Sequence, residues 1–162
     1  MRDLAKPAPP LFGNAHSIAD ACGTCYIPGY LIVRARDAVD SLSQMNPAAL
    51  ASLGLTLAMV IAAIEAAVQP MRVYCALFSE QTCVVHFHLF PRTEWLTAKY
   101  FAAHSDETEI SSPQLIDWAR RTFQTAIGGM DRDETLQRIQ GWLTPSANEK
   151  SRDAKPAFLC DY

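Results

Sequence analysis

From Ala48 to Val68 the chain carries one charged residue, Glu65, and no other stretch limits so strongly what it can fold into. A length of about 20 residues meets the bare requirement for a membrane-spanning helix. The composition argues otherwise. Alanine dominates, Ser52, Gly54 and Thr56 are interspersed, and no basic or aromatic anchors flank the segment. Asn46-Pro47 reads as a helix cap with proline at the first helical position, and Pro70 closes the helix. A helix of a soluble domain, buried on most sides, is therefore expected. To be covered on more than one face it should pack on a sheet and also against a partner subunit.

Three β-rich runs supply that sheet. Tyr30 to Ala35 (YLIVRA) follows the turn signal Pro28-Gly29, and Arg72 to Phe78 (RVYCALF) follows the helix. Ser79-Glu80-Gln81 is short enough to be a hairpin loop into a third run, which ends His86-Phe87-His88-Leu89-Phe90-Pro91-Arg92. Its odd positions Cys83, Val85, Phe87 and Leu89 are apolar, whereas the even positions Thr82, Val84, His86 and His88 carry both imidazoles. One face belongs in a core and the other displays chemistry. Two residues along a strand separate the histidines by roughly 6.5 to 7 Å, close enough to address adjacent atoms of one substrate. Pro91, lacking an N–H, should end the strand.

The flanks are plainer. Residues 1–20 include Lys6-Pro7-Ala8-Pro9-Pro10 and show no clear period, which predicts an extended N-terminal lead-in; 21–100 form the core domain. Residues 101–162 read as a helical extension packed on that domain. Helices are predicted over Glu94 to Ala103, from Ser112-Pro113 through Phe123, and over Asp133 to Leu143. At 162 residues the chain builds its own core without staples. Its five cysteines are an odd number and no charged-then-apolar leader opens the sequence, so a disulfide framework is not expected and a reducing cytoplasm is. A formal charge of −3 and the lack of a basic stripe exclude an electrostatic nucleic-acid binder and favour a small substrate.

The middle of the chain resembles the histidine triad superfamily of nucleotidyl hydrolases and transferases, whose signature alternates three histidines with apolar residues and often continues into Pro-Arg. Val84-Val85-His86-Phe87-His88-Leu89-Phe90-Pro91-Arg92 matches everywhere except at the first histidine. Upstream, Gly29 to Leu42 followed by Asn46-Pro47 and a helix looks like the family's strand and its approach to the long helix. The resemblance covers roughly residues 22–95. It implies an α+β fold: a mostly antiparallel sheet of about five strands, the long alanine-rich helix packed on it, and additional C-terminal helices. It also implies a homodimer, no cofactor, and cleavage at a nucleotide's α-phosphate through a covalent nucleotidyl-histidine.

Carried over by position, His86 is the nucleophile and His88 contacts the phosphate in transfer and the leaving side. An imidazole suits the first role because its ordinary pKa near 6.5 leaves it substantially neutral at physiological pH. Ser79, Gln81, Thr82 and Arg92 are candidate substrate contacts. Val84 replaces the first histidine and can neither donate a hydrogen bond nor carry charge. Ala38 stands where many relatives have another histidine, so two ligands of a structural zinc are missing and no metal is expected. Cys22-Gly23-Thr24-Cys25 has zinc-knuckle spacing but supplies only two of four ligands. His16 and His104 read as solvent residues. Trp95, Trp118 and Trp142 read as packing anchors, with Trp95 near enough to the motif to rim a pocket. An enzyme acting on a nucleotide is the leading expectation; a nucleotide-binding or interaction module with weak turnover is the alternative.

Overall fold

The computed structural model describes residues 10–78, 84–126 and 131–144. Five strands, β1 (Phe12–Gly13), β2 (Ser17–Ala21), β3 (Leu31–Ala35), β4 (Arg72–Leu77) and β5 (His86–Arg92), form one antiparallel sheet in the order β1-β2-β3-β5-β4. The helices are α1 (Pro47–Val68), α2 (Glu94–Ala103), α3 (Ser112–Thr122) and α4 (Arg132–Leu143). This is the expected α+β arrangement.

Side-chain alternation sorts the sheet residues into two main cores, with a smaller third cluster of Ala35, Met45, Ala49 and Val85. Leu31 and Val33 of β3, with Leu89 of β5, face Val60, Ala63 and Ile64 of α1 and Ile139 and Leu143 of α4. The residues between them point the other way: Tyr30, Ile32, Tyr74 and Phe90 pack with Leu96 and Tyr100 of α2 and Leu115, Ile116 and Ala119 of α3. Cys22 and Cys25, in the connection from β2 to β3, belong to this second core. Each fully buried large side chain contributes about 1.5–3 kcal/mol, so both helix layers clamp the sheet.

Helix α1 starts where the sequence predicts. The Asn46 side chain accepts from the Ala48 N–H, proline takes the first turn, and Gln69 closes the helix in the left-handed conformation with φ 46°. Within the single chain its burial is one-sided. Ala49, Thr56, Val60, Ala63 and Ile64 are buried, whereas Leu50 is 45% and Leu55 78% exposed, so one chain covers one face. Although long and apolar enough to cross a membrane, α1 lies on the sheet and seals its core.

Three differences from expectation have local causes. The first two strands fall within residues 10–21, a stretch the sequence presents as a lead-in; β1 is two residues long and β2 (SIADA) alternates small residues, so neither carries a strong period. Strand β5 runs through Pro91, which pairs with Val73 of β4. Pairing with β3 stops at Leu89, so the proline removes no donor from that ladder. His104 is not a solvent residue: it stacks on Tyr100 at 4.3 Å and its Nδ1 lies 2.9 Å from the Tyr100 carbonyl.

Ile27-Pro28-Gly29-Tyr30 turns the chain into β3. The Tyr30 N–H donates to the Ile27 carbonyl at 3.2 Å, and proline followed by glycine at φ 78° is the type II pattern. A Cβ on Gly29 would also meet both methyls of Val68 at 3.2 Å. Gly29→Ala should therefore destabilise the fold by about 1–3 kcal/mol, read as a lowered urea midpoint with an unchanged slope.

Candidate active site

The two histidines come together at the start of β5, between its neighbours on both sides. His86 lies opposite Arg34 of β3, and His88 lies between Ile32 of β3 and Ala76 of β4. Sharing a face, their rings sit 4.9 Å apart at 65°. His86 is half-buried at the rim and His88 is buried, 6% exposed. The segment before them is pinned, because Val85 donates to the Val39 carbonyl at 2.8 Å and accepts from the Ala35 N–H at 3.0 Å.

Each ring has a defined partner on Nδ1. For His86 it is the carbonyl oxygen of Val84 at 2.8 Å; for His88 it is the hydroxyl of Tyr30 at 2.7 Å. Phe78 packs against His88 at 5.4 Å and Tyr30 meets Phe90 edge-on at 5.1 Å, which completes an aromatic wall on the inner side. Burial holds the pKa of His88 down to about 4, assisted by His86 and by the positive charge of Arg120 on α3. His88 is therefore a neutral imidazole at physiological pH. Beneath Tyr30, the Cys25 thiol donates to Cys22 at 3.4 Å; that hydrogen bond pulls Cys22 down to about 5 and pushes Cys25 up.

The other candidates divide. Ser79, Gln81 and Thr82 lie outside the described residues. Arg92 is on the same face as the histidines but four residues beyond His88, about 13 Å along the strand. There its guanidinium donates to the hydroxyls of Thr97 at 3.3 Å and Tyr74 at 3.4 Å. Trp95 packs against Phe123. Sequence reasoning missed Tyr30, Phe78, Arg34 and Arg120. Only Arg34 had a signal to follow: on the even face of a β-run, it could be registered opposite a histidine once the strand pairing was known. It is held by Asp20 at 2.7 Å.

Two concavities lie elsewhere, about 420 Å³ beside Trp95 and Val68 and about 270 Å³ between Tyr100 and Trp118, and neither histidine lines them. His86, half-buried, and His88, buried, lie on the sheet face instead.

Among solved structures the chain is similar to a Hit-like protein involved in cell-cycle regulation from Bartonella henselae, with 17% identity over 85% of this chain and 88% of that one and a TM-score of 0.56. A zinc-bound histidine triad family protein from Mycobacterium smegmatis has 12% identity over 84% and 85%, with a TM-score of 0.56. A histidine triad protein from Sinorhizobium meliloti has 13% identity over 82% and 87%, with a TM-score of 0.53. No family model and no curated protein matches the sequence. The fold is thus that of the histidine triad proteins. Among the described residues no three Cys, His, Asp or Glu side chains gather into a group that could hold a metal ion.

Because the folded protein resists protonating His88 and the unfolded chain does not, the unfolded state binds more protons between pH 6.5 and about 4. Stability from this group is complete above pH 6.5 and is lost as the pH falls to about 4. Urea midpoints across that window should decline, and the part due to His88 should disappear in His88→Gln.

Proposed function

We propose that this protein is a nucleotide hydrolase or transferase of the histidine triad family, cleaving at the α-phosphate through a covalent intermediate on His86. The observation that carries the reading is the hydrogen bond from His86 Nδ1 to the Val84 carbonyl. A carbonyl only accepts, so the proton must be on Nδ1 and the ring's lone pair on Nε2. That is the state a nucleophile needs, and the contact that sets it is to the main chain. Valine at 84 supplies the carbonyl as well as any residue would, so losing the first histidine leaves the nucleophile oriented.

In the reaction, Nε2 of His86 forms a bond to phosphorus as the bond to the leaving group breaks, and the leaving group departs with the electron pair. Water then cleaves the nitrogen–phosphorus bond, releasing a nucleoside monophosphate and restoring the imidazole. Buried and neutral, His88 contributes a hydrogen bond to the phosphoryl group without the cost of desolvating a charge. Of the remaining candidates, Ser79, Gln81 and Thr82 precede the histidines closely enough to join the phosphate site, whereas Arg92 would have to leave Thr97 and Tyr74. Arg34, beside His86, is the better placed guanidinium.

The same reading includes a cytoplasmic homodimer without a cofactor, acting on a small molecule and not on nucleic acid or membrane. Support for the dimer is the open edge of β4 with Leu77 exposed and the exposed apolar residues Leu50 and Leu55 on α1, surfaces that a second copy would cover. A second reading, a nucleotide-binding or interaction module with weak or no turnover, is favoured by Val84, which leaves the motif one histidine short.

Intact-protein mass spectrometry after brief mixing with an adenosine 5′-phosphoramidate or a diadenosine polyphosphate separates the two. A transient nucleotidyl adduct should form on the wild type and be absent from His86→Ala, with hydrolysis down by roughly three orders of magnitude. Micromolar binding of a nucleoside monophosphate with neither adduct nor product would favour the module; unchanged hydrolysis in His86→Ala would refute the mechanism.

A further inference from the structure

We infer that Tyr30 is a positioning residue that fixes His88 in the tautomer protonated on Nε2, opposite to that of His86. The hydroxyl of Tyr30 is 2.7 Å from Nδ1 of His88, and both side chains are buried. Two hydrogen placements fit that contact: the phenol donates to a bare Nδ1, or Nδ1–H donates to the phenol oxygen. The separation sits at the centre of the range for O–H donors and at the short end of that for N–H donors, which favours the first. Burial also pushes the phenol's pKa up and His88's down, so the proton stays on oxygen and His88 stays neutral.

A neutral imidazole whose Nδ1 accepts must carry its proton on Nε2. His86 has the reverse arrangement, since its Nδ1 donates to a carbonyl. Two rings 4.9 Å apart on one strand face thus present different atoms: a lone pair on Nε2 of His86 and an N–H on Nε2 of His88. If the site handles a nucleotide phosphate, as proposed above, the first attacks phosphorus and the second donates to a phosphoryl oxygen. Two like tautomers would offer either two nucleophiles and no donor, or two donors and no nucleophile. Tyr30 is held for this role by the Pro28-Gly29 turn and its edge-on contact with Phe90. The charged and titratable groups around the pair are His86 on β5, Cys22 and Cys25 before β3, and Arg120 on α3.

The tautomer belongs to the unliganded protein, so nitrogen-15 NMR of the histidine side chains at pH 7 tests it without substrate. The wild type should show a bare Nδ1 and a protonated Nε2 on His88, and the reverse on His86. In Tyr30→Phe, His88 should shift toward a mixture of tautomers while His86 keeps its pattern. A wild-type His88 protonated on Nδ1, or identical His88 nitrogen shifts in a folded Tyr30→Phe, would overturn the inference. Should the variant not fold, the wild-type spectrum still decides. With adenosine 5′-phosphoramidate, Tyr30→Phe should lower kcat about ten- to hundredfold while KM stays within about twofold. If the wild type fails to turn over, the catalytic reading falls and the spectra still judge Tyr30.

Discussion

Slipping β5 by one residue against β3 would carry His86 and His88 to the face covered by α1 and α4, and Phe87 and Leu89 to the rim. The observed register, with Leu31 opposite Leu89 and Ile32 opposite His88, is therefore the constraint on which the rest depends. It is strongly held. Both faces of β5 are packed, β3 and β4 bond it from either side, and the apolar residues of its odd positions have nowhere else to be buried. The same alternation that builds a core under α1 puts two imidazoles on one opposite patch, so the fold and the site are consequences of a single pairing.

The two histidines then acquire different properties from different depths. His86 stands at the rim and takes its orientation from the main chain two residues earlier, a partner independent of side-chain identity. His88 stands one pleat further in, under Phe78 and against Tyr30, where a charge would be expensive and a neutral ring with a satisfied nitrogen is tolerated. Burial that would be a liability for an ion strengthens the hydrogen bonds of a neutral ring, because water does not dilute them.

Helices beyond the histidine strand complete this environment. Leu96 and Tyr100 of α2 and Leu115, Ile116 and Ala119 of α3 close the core beside Tyr30 and Phe90, and Arg120 brings a positive charge within reach of His88. The appended segment is thus part of the wall behind the site. Helix α4 lies on the other face and packs against α1, and Leu50 and Leu55 of α1 stay exposed.

Much of this was legible in the chain. Period-two alternation gave β5 its two faces, the Asn46-Pro47 cap and Pro70 bounded α1, and the predicted bounds of α2, α3 and α4 agree with the observed ones to within a residue or so. The histidine pair was legible too, because residues i and i+2 of a strand share a face wherever the strand lies. What pairing alone decides was not. The small residues of β1 and β2 have no period of their own and become strands only because β3 offers an edge; Pro91 continues β5 because β3 has already ended. Tyr30 sits 58 positions from His88, and nothing local marks a tyrosine after a turn as the partner of a distant imidazole. The sequence by itself determined the elements, their faces and the presence of two imidazoles on one of them. Only the tertiary structure decided which nitrogen of each ring is engaged, since a tautomer is set by the group placed against it in space.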